Sequence, residues 1–379
     1  MTPPHLAVAL EGAGWHPAAW RERDARPTEL LTARYWADLV REAEHGLLDL
    51  VTFEDSFGPG PTGTDQVTGR LDATLIAAAV APRTSGIGLV PTVITTHTEP
   101  FHISKAIATL DYASRGRAGV RVRVSRDDAR HIGRRPSLDV DDLLAEAADY
   151  VEVVRRLWDS WEDDAEIRDA ATGRFVDREK LHYIDFEGRW FSVKGPSITP
   201  RPPQGHPPVF AELAERNIGA VALAHAIPVY RFAEGTADVV LVTPQDADDA
   251  AAITKNITGV PQVFGDLTVF LDESSTAAAT RLARLNDRAG TQYSPDTAVF
   301  TGTPAALADL VLAWQANGVT GIRLRPGVLP HDLNAVTRGL VPELRARGQF
   351  RRSYEEGTLR ARLGLPAAEN RYAATQGTR

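Results

Sequence analysis

The sequence contains no cysteine among its 379 residues. This absence excludes disulfide bonds, a thiol nucleophile and thiolate metal sites, and it is typical of proteins of the reducing cytoplasm. The sequence also lacks any apolar run that approaches the roughly 20 residues of a membrane-spanning helix. Its first residues, from Met1 to His5, show neither the basic region nor the apolar run of a secretion signal. We therefore expect a cytoplasmic protein that does not insert into membranes.

The sequence also lacks an excess of positive charge. The 42 lysine and arginine residues are outnumbered by 50 aspartate and glutamate residues, which gives a formal net charge of −8. No basic cluster interleaved with aromatic residues offsets this balance, so neither a nucleic acid nor an anionic membrane surface is an expected partner. The histidine spacing matches no metal site. The composition therefore favours small-molecule chemistry without a metal.

What the sequence does contain is a repeated alternation of short apolar runs and amphipathic segments. The segments 28–45 and 73–80 predict helices, and brief apolar or β-branched runs predict buried strands at 5–10, 48–53, 87–94, 120–125, 239–243, 267–271 and 321–325. Strands that alternate with helices form a parallel sheet, and about eight such units close a barrel. We therefore predict an α/β fold, a TIM (β/α)8 barrel, with residues 1–379 as a single domain.

Two regions break this alternation. Residues 161–208 are rich in charge, glycine and proline, which predicts a long insertion with a short hairpin at 183–193. Residues 327–379 form a C-terminal extension with an amphipathic helix. Long insertions of this kind are commonly lids or oligomer arms, and we expect a lid in the first case.

Several blocks of sequence carry a family resemblance. They include Leu-Trp-Asp-Ser-Trp-Glu-Asp-Asp-Ala at 157–165, Gly-Pro-Ser-Ile-Thr-Pro-Arg-Pro-Pro-Gln-Gly at 195–205, and further blocks at 14–21, 49–55, 87–102, 342–348 and 358–366. In this order they resemble the luciferase-like flavin monooxygenases, in the branch of the nitrilotriacetate and long-chain alkane monooxygenases. The resemblance covers nearly the whole chain.

The resemblance implies a TIM barrel of the bacterial luciferase-like type that binds reduced FMN supplied by a separate flavin reductase, or in some members a deazaflavin. Such enzymes use O2 to oxidise a small organic substrate, and they form dimers, here a homodimer or a heterodimer with a homologue. By position in the motifs, Asp55 and Thr92 would lie against the flavin. His16, at the end of the first strand, would be the leading acid–base group, with Asp55 as a second catalytic candidate.

This chain departs from the family where the flavin is held. Relatives have Gly-Arg-x-Gly-Trp-Asn-x-Val-Thr-Ser, whereas this chain has Gly-Arg-Ala-Gly-Val-Arg-Val-Arg-Val-Ser at 116–125, so that of the Trp, Asn, Thr and Ser of this motif only Ser125 remains. The His-x-x-x-Tyr pair of relatives is replaced by apolar and acidic residues at 140–144. Several expected contacts to the flavin are therefore missing.

The phosphate loop of relatives admits two alignments here. One places 212–219 in the loop and brings Glu212 toward the phosphate, where Arg216 would have to offset it. The other places 222–226 there, followed by Tyr230 and Arg231, and keeps the spacing to 237–240. We prefer the second, in which His225, Tyr230 and Arg231 would bind the phosphate by charge-assisted hydrogen bonds.

Each candidate also has a purely structural interpretation. Asp55 follows a strand and would serve equally as a cap for the next segment. His16 fits a satisfied core histidine. Arg121 and Arg123 alternate with valine, so one face of their strand carries two cations that require carboxylate partners or bind substrate.

Three functions therefore follow from the sequence. The first is a flavin-dependent monooxygenase with an altered flavin site. The second is a divergent, non-catalytic barrel that acts as partner subunit or binding protein, and the third is a deazaflavin-dependent oxidoreductase.

Overall fold

The computed structural model describes residues 3–58, 60, 63–96, 98–125, 132, 138–212 and 227–373, the last range without the side chains of 227–231. Its strands are β1 His5–Leu10, β2 Leu50–Phe53, β3 Gly88–Ile94, β4 Val120–Arg123, β5 Glu166–Asp169, β6 Arg174–Val176, β7 Phe186–Glu187, β8 Ser192–Val193, β9 Val209–Glu212, β10 Val239–Val242, β11 Gln262–Leu271, β12 Ala298–Gly302 and β13 Gly321–Pro326.

Eight of these strands close into a parallel barrel in the order β1, β2, β3, β4, β9, β10, β11, β13 and back to β1. The strand β12 pairs in parallel with the outer part of β11. The TIM barrel predicted from the sequence is thus confirmed. The sequence missed β9 and β12, and β11 begins before the predicted 267.

The helices are α1 Ala33–His45, α2 Ala73–Val80, α3 Pro100–Ser114, α4 Val140–Asp159, α5 Ile227–Thr236, α6 Ala247–Asn256, α7 Ser275–Ala289, α8 Pro304–Ala316, α9 His331–Ala335, α10 Val341–Ala346 and α11 Leu359–Arg362. A π-helical turn, Val336–Leu340, joins α9 to α10, and 3-10 turns lie at Ala19–Arg21, Pro27–Glu29, Ala81–Arg83 and Arg178–Lys180. Many of the helices begin at a polar residue whose side chain accepts a hydrogen bond from a first-turn N–H, as at Thr32, Asp72, Asp139, Asp246, Ser274 and Thr303.

The barrel interior has an apolar half at the amino ends of the strands. Side chains that alternate along the strands meet there in one buried cluster, which includes Leu50, Val90, Phe210 and Phe264. The C-terminal extension joins this cluster from below through Leu359, Leu363 and Leu365. The extension therefore closes the amino end of the barrel with apolar side chains.

The insertion 161–208 carries two hairpins, β5 with β6 and β7 with β8. The second lies within the hairpin region predicted from the sequence. It follows α4 toward the amino end of that helix, where Arg189 forms a salt bridge of 2.6 Å with Asp142. The hairpin tip thus reaches the face of the barrel where the strands end.

Among the described residues, no helix has both the length and the apolar character that crossing a membrane requires.

Candidate active site

The carboxyl ends of the barrel strands meet at one face, which is where TIM barrels place their ligands. A cavity of about 250 Å³ opens there beside the ends of β1 and β2. Its walls are mainly apolar and aromatic, and they include Trp15, Trp20, Trp36, Phe53, Val67 and Ile76. Such walls exclude water and suit a flat or apolar group.

The segment 63–72 forms one side of the cavity and is tied to the barrel at two points. Trp20 Nε1 donates a hydrogen bond of 3.0 Å to the carbonyl oxygen of Asp65. Arg70 forms a salt bridge of 3.3 Å with Glu11 just beyond β1. Both contacts are partly exposed, so they mark the entrance rather than the floor of the cavity.

Below this face, the barrel interior is filled by charged side chains, which we call the ionic cluster. Its members come from strands of the barrel and from loops next to them, and their side chains are at most 14% exposed; they are Glu54, Arg121, Glu212, Asp266, Asp296, Arg323 and Arg325. Three arginines thus face four carboxylates.

The contacts in the ionic cluster link adjacent strands as well as strands on different sides of the barrel. Arg121 on β4 bonds Glu212 at 2.8 Å and also bonds Glu54. Arg325 on β13 donates to Glu212 over 3.0 Å. Burial alone would lower the pKa of Arg323. The negative charges of Asp266 and Glu54 have the larger effect and keep the pKa of Arg323 above its ordinary value. The cluster is therefore a charged layer held by mutual pairing.

The sequence indicated carboxylate partners for both Arg121 and Arg123; this is confirmed for Arg121, whereas Arg123 has no carboxylate partner among the described residues. It did not identify Asp266, Arg323 or Arg325 as members of a site. The available signal was the run Gly-Ile-Arg-Leu-Arg-Pro in β13, where charges alternate with apolar residues in a buried strand. Glu212 lies in β9 with its carboxylate in the cluster, so its side chain is committed to arginines of the barrel.

Thr92 and Asp55, the positions matched to flavin contacts, take part in local bonds. The hydroxyl of Thr92 donates to the carbonyl oxygen of Phe53 over 2.6 Å and accepts from Arg121 Nε over 2.9 Å. Asp55 accepts from the backbone N–H of Ser56 over 2.8 Å and of Ala73 over 3.0 Å. Burial raises the pKa of Asp55, and these N–H groups oppose the shift. Asp55 thus ties the start of α2 to the end of β2.

Ser125 lies just beyond β4 and is buried. Its backbone N–H donates to Thr96 Oγ1 over 3.1 Å. Ser125, Thr92 and Asp55 therefore lie toward the carboxyl ends of three adjacent strands, and their contact with a flavin stays a prediction. Of the phosphate candidates, His225 lies outside the described residues, and the side chains of Tyr230 and Arg231 do as well.

His16 is 1% exposed and uses both ring nitrogens. Its Nδ1 accepts from the backbone N–H of Ala18 over 3.1 Å, so Nε2 is the donor to Asn286 Oδ1, also over 3.1 Å. Phe270 and Tyr293 pack against the ring. Burial lowers the pKa of His16, partly offset by the bond to Asn286. In this arrangement His16 is a neutral, fixed side chain in the cavity wall.

Arg123, the second cation of β4, is half-buried and differs from Arg121. Its Nη1 donates to the carbonyl oxygen of Asp55 over 3.0 Å. Its Nε is buried and has no hydrogen-bond acceptor among the residues that the structure describes. Such a donor suits an electron-rich or anionic group of a ligand.

Comparison with known proteins gives a consistent result. The family model of luciferase-like monooxygenases matches residues 14–310. The N-acetyl-S-(2-succino)cysteine monooxygenase of Bacillus subtilis is 30% identical, with 97% of this chain and 98% of that protein aligned. Nitrilotriacetate monooxygenase component A of Aminobacter aminovorans is 31% identical over 97% and 98% of the two chains. The crystal structure of a long-chain alkane monooxygenase shares the fold with a TM-score of 0.83 at 23% identity, over 96% of each chain.

Proposed function

The chain belongs to the luciferase-like monooxygenase family, whose members depend on reduced flavin, and we propose that it is the oxygenase of a two-component system acting on a small organic substrate. In this proposal a separate reductase supplies reduced FMN. The observation that carries it is the alignment of almost the entire chain with two named monooxygenases, one of which is itself called component A.

The bound flavin supplies the chemistry that activates O2. The protein then has to position the flavin and the substrate and to exclude water. The walls of Trp15, Trp36 and Phe53 support the exclusion of water from the cavity. Arg123 would hold the flavin or the substrate through its Nε–H, which has no acceptor in the described part of the chain. The hairpin tip at Arg189 supports a lid role for part of the insertion 161–208.

His16 and Asp55 enter the proposal as positioning residues. Both lie at the face of the barrel where the strands end. His16 bonds Ala18 and Asn286, and Asp55 bonds Ser56 and Ala73, so the hydrogen bonds of both go to neighbouring protein groups. We infer that Asp55 fixes the backbone at the start of α2 and that His16 fixes the cavity wall next to Trp15. The proposal assigns proton transfer to neither residue.

An anaerobic titration of the purified, flavin-free protein tests this function. We expect reduced FMN to bind with micromolar or tighter affinity, and oxidised FMN to bind more weakly. The deazaflavin F420, titrated in its reduced form, is the control for the deazaflavin-dependent alternative. Absence of binding by all three would contradict the proposal and favour a partner-subunit role, in which the ionic cluster serves only to fill the barrel.

A further inference from the structure

Four arginines point into the barrel from β4 and β13, and one of them is paired differently from the rest. Arg121, Arg323 and Arg325 each bond at least one carboxylate. Across the residues that the structure describes, Arg123 has no carboxylate partner, and its one hydrogen bond goes from Nη1 to the carbonyl oxygen of Asp55. The edge formed by Nε and Nη2 has no acceptor in that part of the chain, and Nε is buried.

This edge is the part of a guanidinium that binds acid groups. Nε and Nη2 present two parallel N–H donors, which match the two oxygens of a carboxylate, sulfonate or phosphate. A guanidinium stays charged at all physiological pH values, so an unpaired and partly buried one is unfavourable unless a ligand completes it. The edge therefore supplies the cationic half of an ion pair, which a bound acid group would complete.

The position of Arg123 places this edge at the entrance to the site. Residues two apart on a strand share a face, so Arg121 and Arg123 both face the interior, with Arg123 nearer the carboxyl end of β4. Its Nη1 bonds the residue that follows Glu54, which lines the cavity. Arg123 is half-buried, so part of its side chain is open to solvent beside the buried Nε.

We propose that Arg123 binds an acid group of the ligand that enters this face. Two sources have this chemistry: an acidic substrate, and the phosphate of the flavin. The inference does not rest on flavin binding, because it concerns the acid group alone. It adds to the proposed function a preference for acidic ligands.

The first test measures the thermal stability of flavin-free protein at constant ionic strength, with benzoate, methanesulfonate and inorganic phosphate as probes and benzamide as the neutral counterpart of benzoate. At least one acid, and not benzamide, should raise the melting temperature of the wild type. The variant Arg123→Met should lose this effect, with a dissociation constant at least about tenfold higher, or about 1.4 kcal/mol. The exposed Arg352 provides the control, and Arg352→Met should respond like the wild type.

The stability of the variant without ligand gives a second measurement. Because Arg123→Met removes an unpaired cation, its melting temperature should equal or exceed that of the wild type, whereas a structural arginine would leave a less stable protein. Arg123→Lys keeps the charge but not the two-donor edge, and it should bind acids with intermediate affinity. Equal responses of wild type and Arg123→Met to every acid, or a clear loss of stability in Arg123→Met, would overturn the proposal.

A comparison of FMN with riboflavin separates the two sources. If FMN binds more tightly than riboflavin, and Arg123→Met removes that difference, the acid group is the flavin phosphate. If FMN and benzoate bind together and only benzoate depends on Arg123, the acid group belongs to the substrate. Acid binding in a protein that binds no flavin at all would support this inference while contradicting the proposed function.

Discussion

The Nη1 of Arg121 lies 2.8 Å from Oε2 of Glu212, and neither side chain is more than 1% exposed. The bond crosses from β4 to β9 inside the barrel, where TIM barrels usually pack branched apolar side chains. Here charge pairing replaces that packing in the half of the barrel beneath the candidate site. Because the hydrogen bonds of a guanidinium are directional, Arg121 also holds Glu54 and Thr92 in place.

Replacement of Arg121 by methionine should strongly destabilise the protein. The change leaves Glu54 and Glu212 without one of their cations in the barrel interior, and removal of one partner of a buried pair costs about 3 to 5 kcal/mol. Urea denaturation followed by circular dichroism measures the loss.

The double variant Arg121→Met with Glu212→Gln is the matched control. It removes both charges of the pair, so its loss of stability should be smaller than the sum of the two single losses by about 1 kcal/mol or more. Strict additivity, or a loss below about 1 kcal/mol for Arg121→Met alone, would show that the cluster does not act as a paired unit.

The barrel was predictable because its apolar runs are separated by helical segments of regular length. The strand β9 was missed for two reasons. It follows a proline-rich segment, and it carries Glu212, a charged residue that indicates a loop unless its buried arginine partners are known. β12 was missed because Ala298–Gly302 is short and lies outside the closed barrel.

Of the candidate site, the sequence located the strand ends but not the pairing between them. That Asp55, Thr92 and Ser125 lie on adjacent strand ends follows from motif position. The commitment of Thr92 to Phe53 and Arg121 depends on contacts between residues far apart in the chain, which no local pattern encodes. The same holds for the difference between Arg121 and Arg123, two arginines in equivalent local sequence.

The closure of the barrel by its C-terminal extension can be tested at Leu363. This side chain is fully buried with Phe264 and Leu359. Leu363→Ala should cost about 2 to 5 kcal/mol because it leaves a cavity in the apolar half of the barrel. Leu75→Ala is the control, since Leu75 is 70% exposed and its truncation should change the free energy of unfolding by less than about 0.5 kcal/mol. Similar values for the two variants would contradict this role for the extension.

Asp49 predicts a loss of stability at low pH. Burial alone would raise its pKa, but hydrogen bonds from His5 and Arg351 outweigh burial and hold the pKa at about 2, below the ordinary 3.8. A carboxyl whose pKa is lower in the folded state stabilises the protein above the unfolded value, and this stability is lost as the pH falls through the folded value. The wild type should therefore lose roughly 2 kcal/mol relative to Asp49→Asn between about pH 5 and pH 2. Urea denaturation at several pH values measures the difference, and a constant difference would contradict the assignment.

His16 predicts a different pH dependence, because its pKa is lowered by burial and the neutral ring is the form that the structure holds. A histidine with a folded pKa below its unfolded value of 6.5 binds fewer protons when folded. Its contribution to stability is then complete above pH 6.5 and is lost as the pH falls below that value. The free energy of unfolding of the wild type should fall more steeply from pH 7 to pH 5 than that of His16→Asn.

The exposed His45 provides the control for this experiment. His45→Asn removes a histidine from the protein surface and should not reproduce the change expected of His16→Asn, because the His45 ring is exposed. Monooxygenase activity separates positioning from acid–base catalysis. If His16 only positions the cavity wall, His16→Asn should change KM more than kcat and leave the pH profile of kcat unchanged. Loss of the acidic limb of that profile in His16→Asn would instead restore His16 as the acid–base group that the sequence predicted.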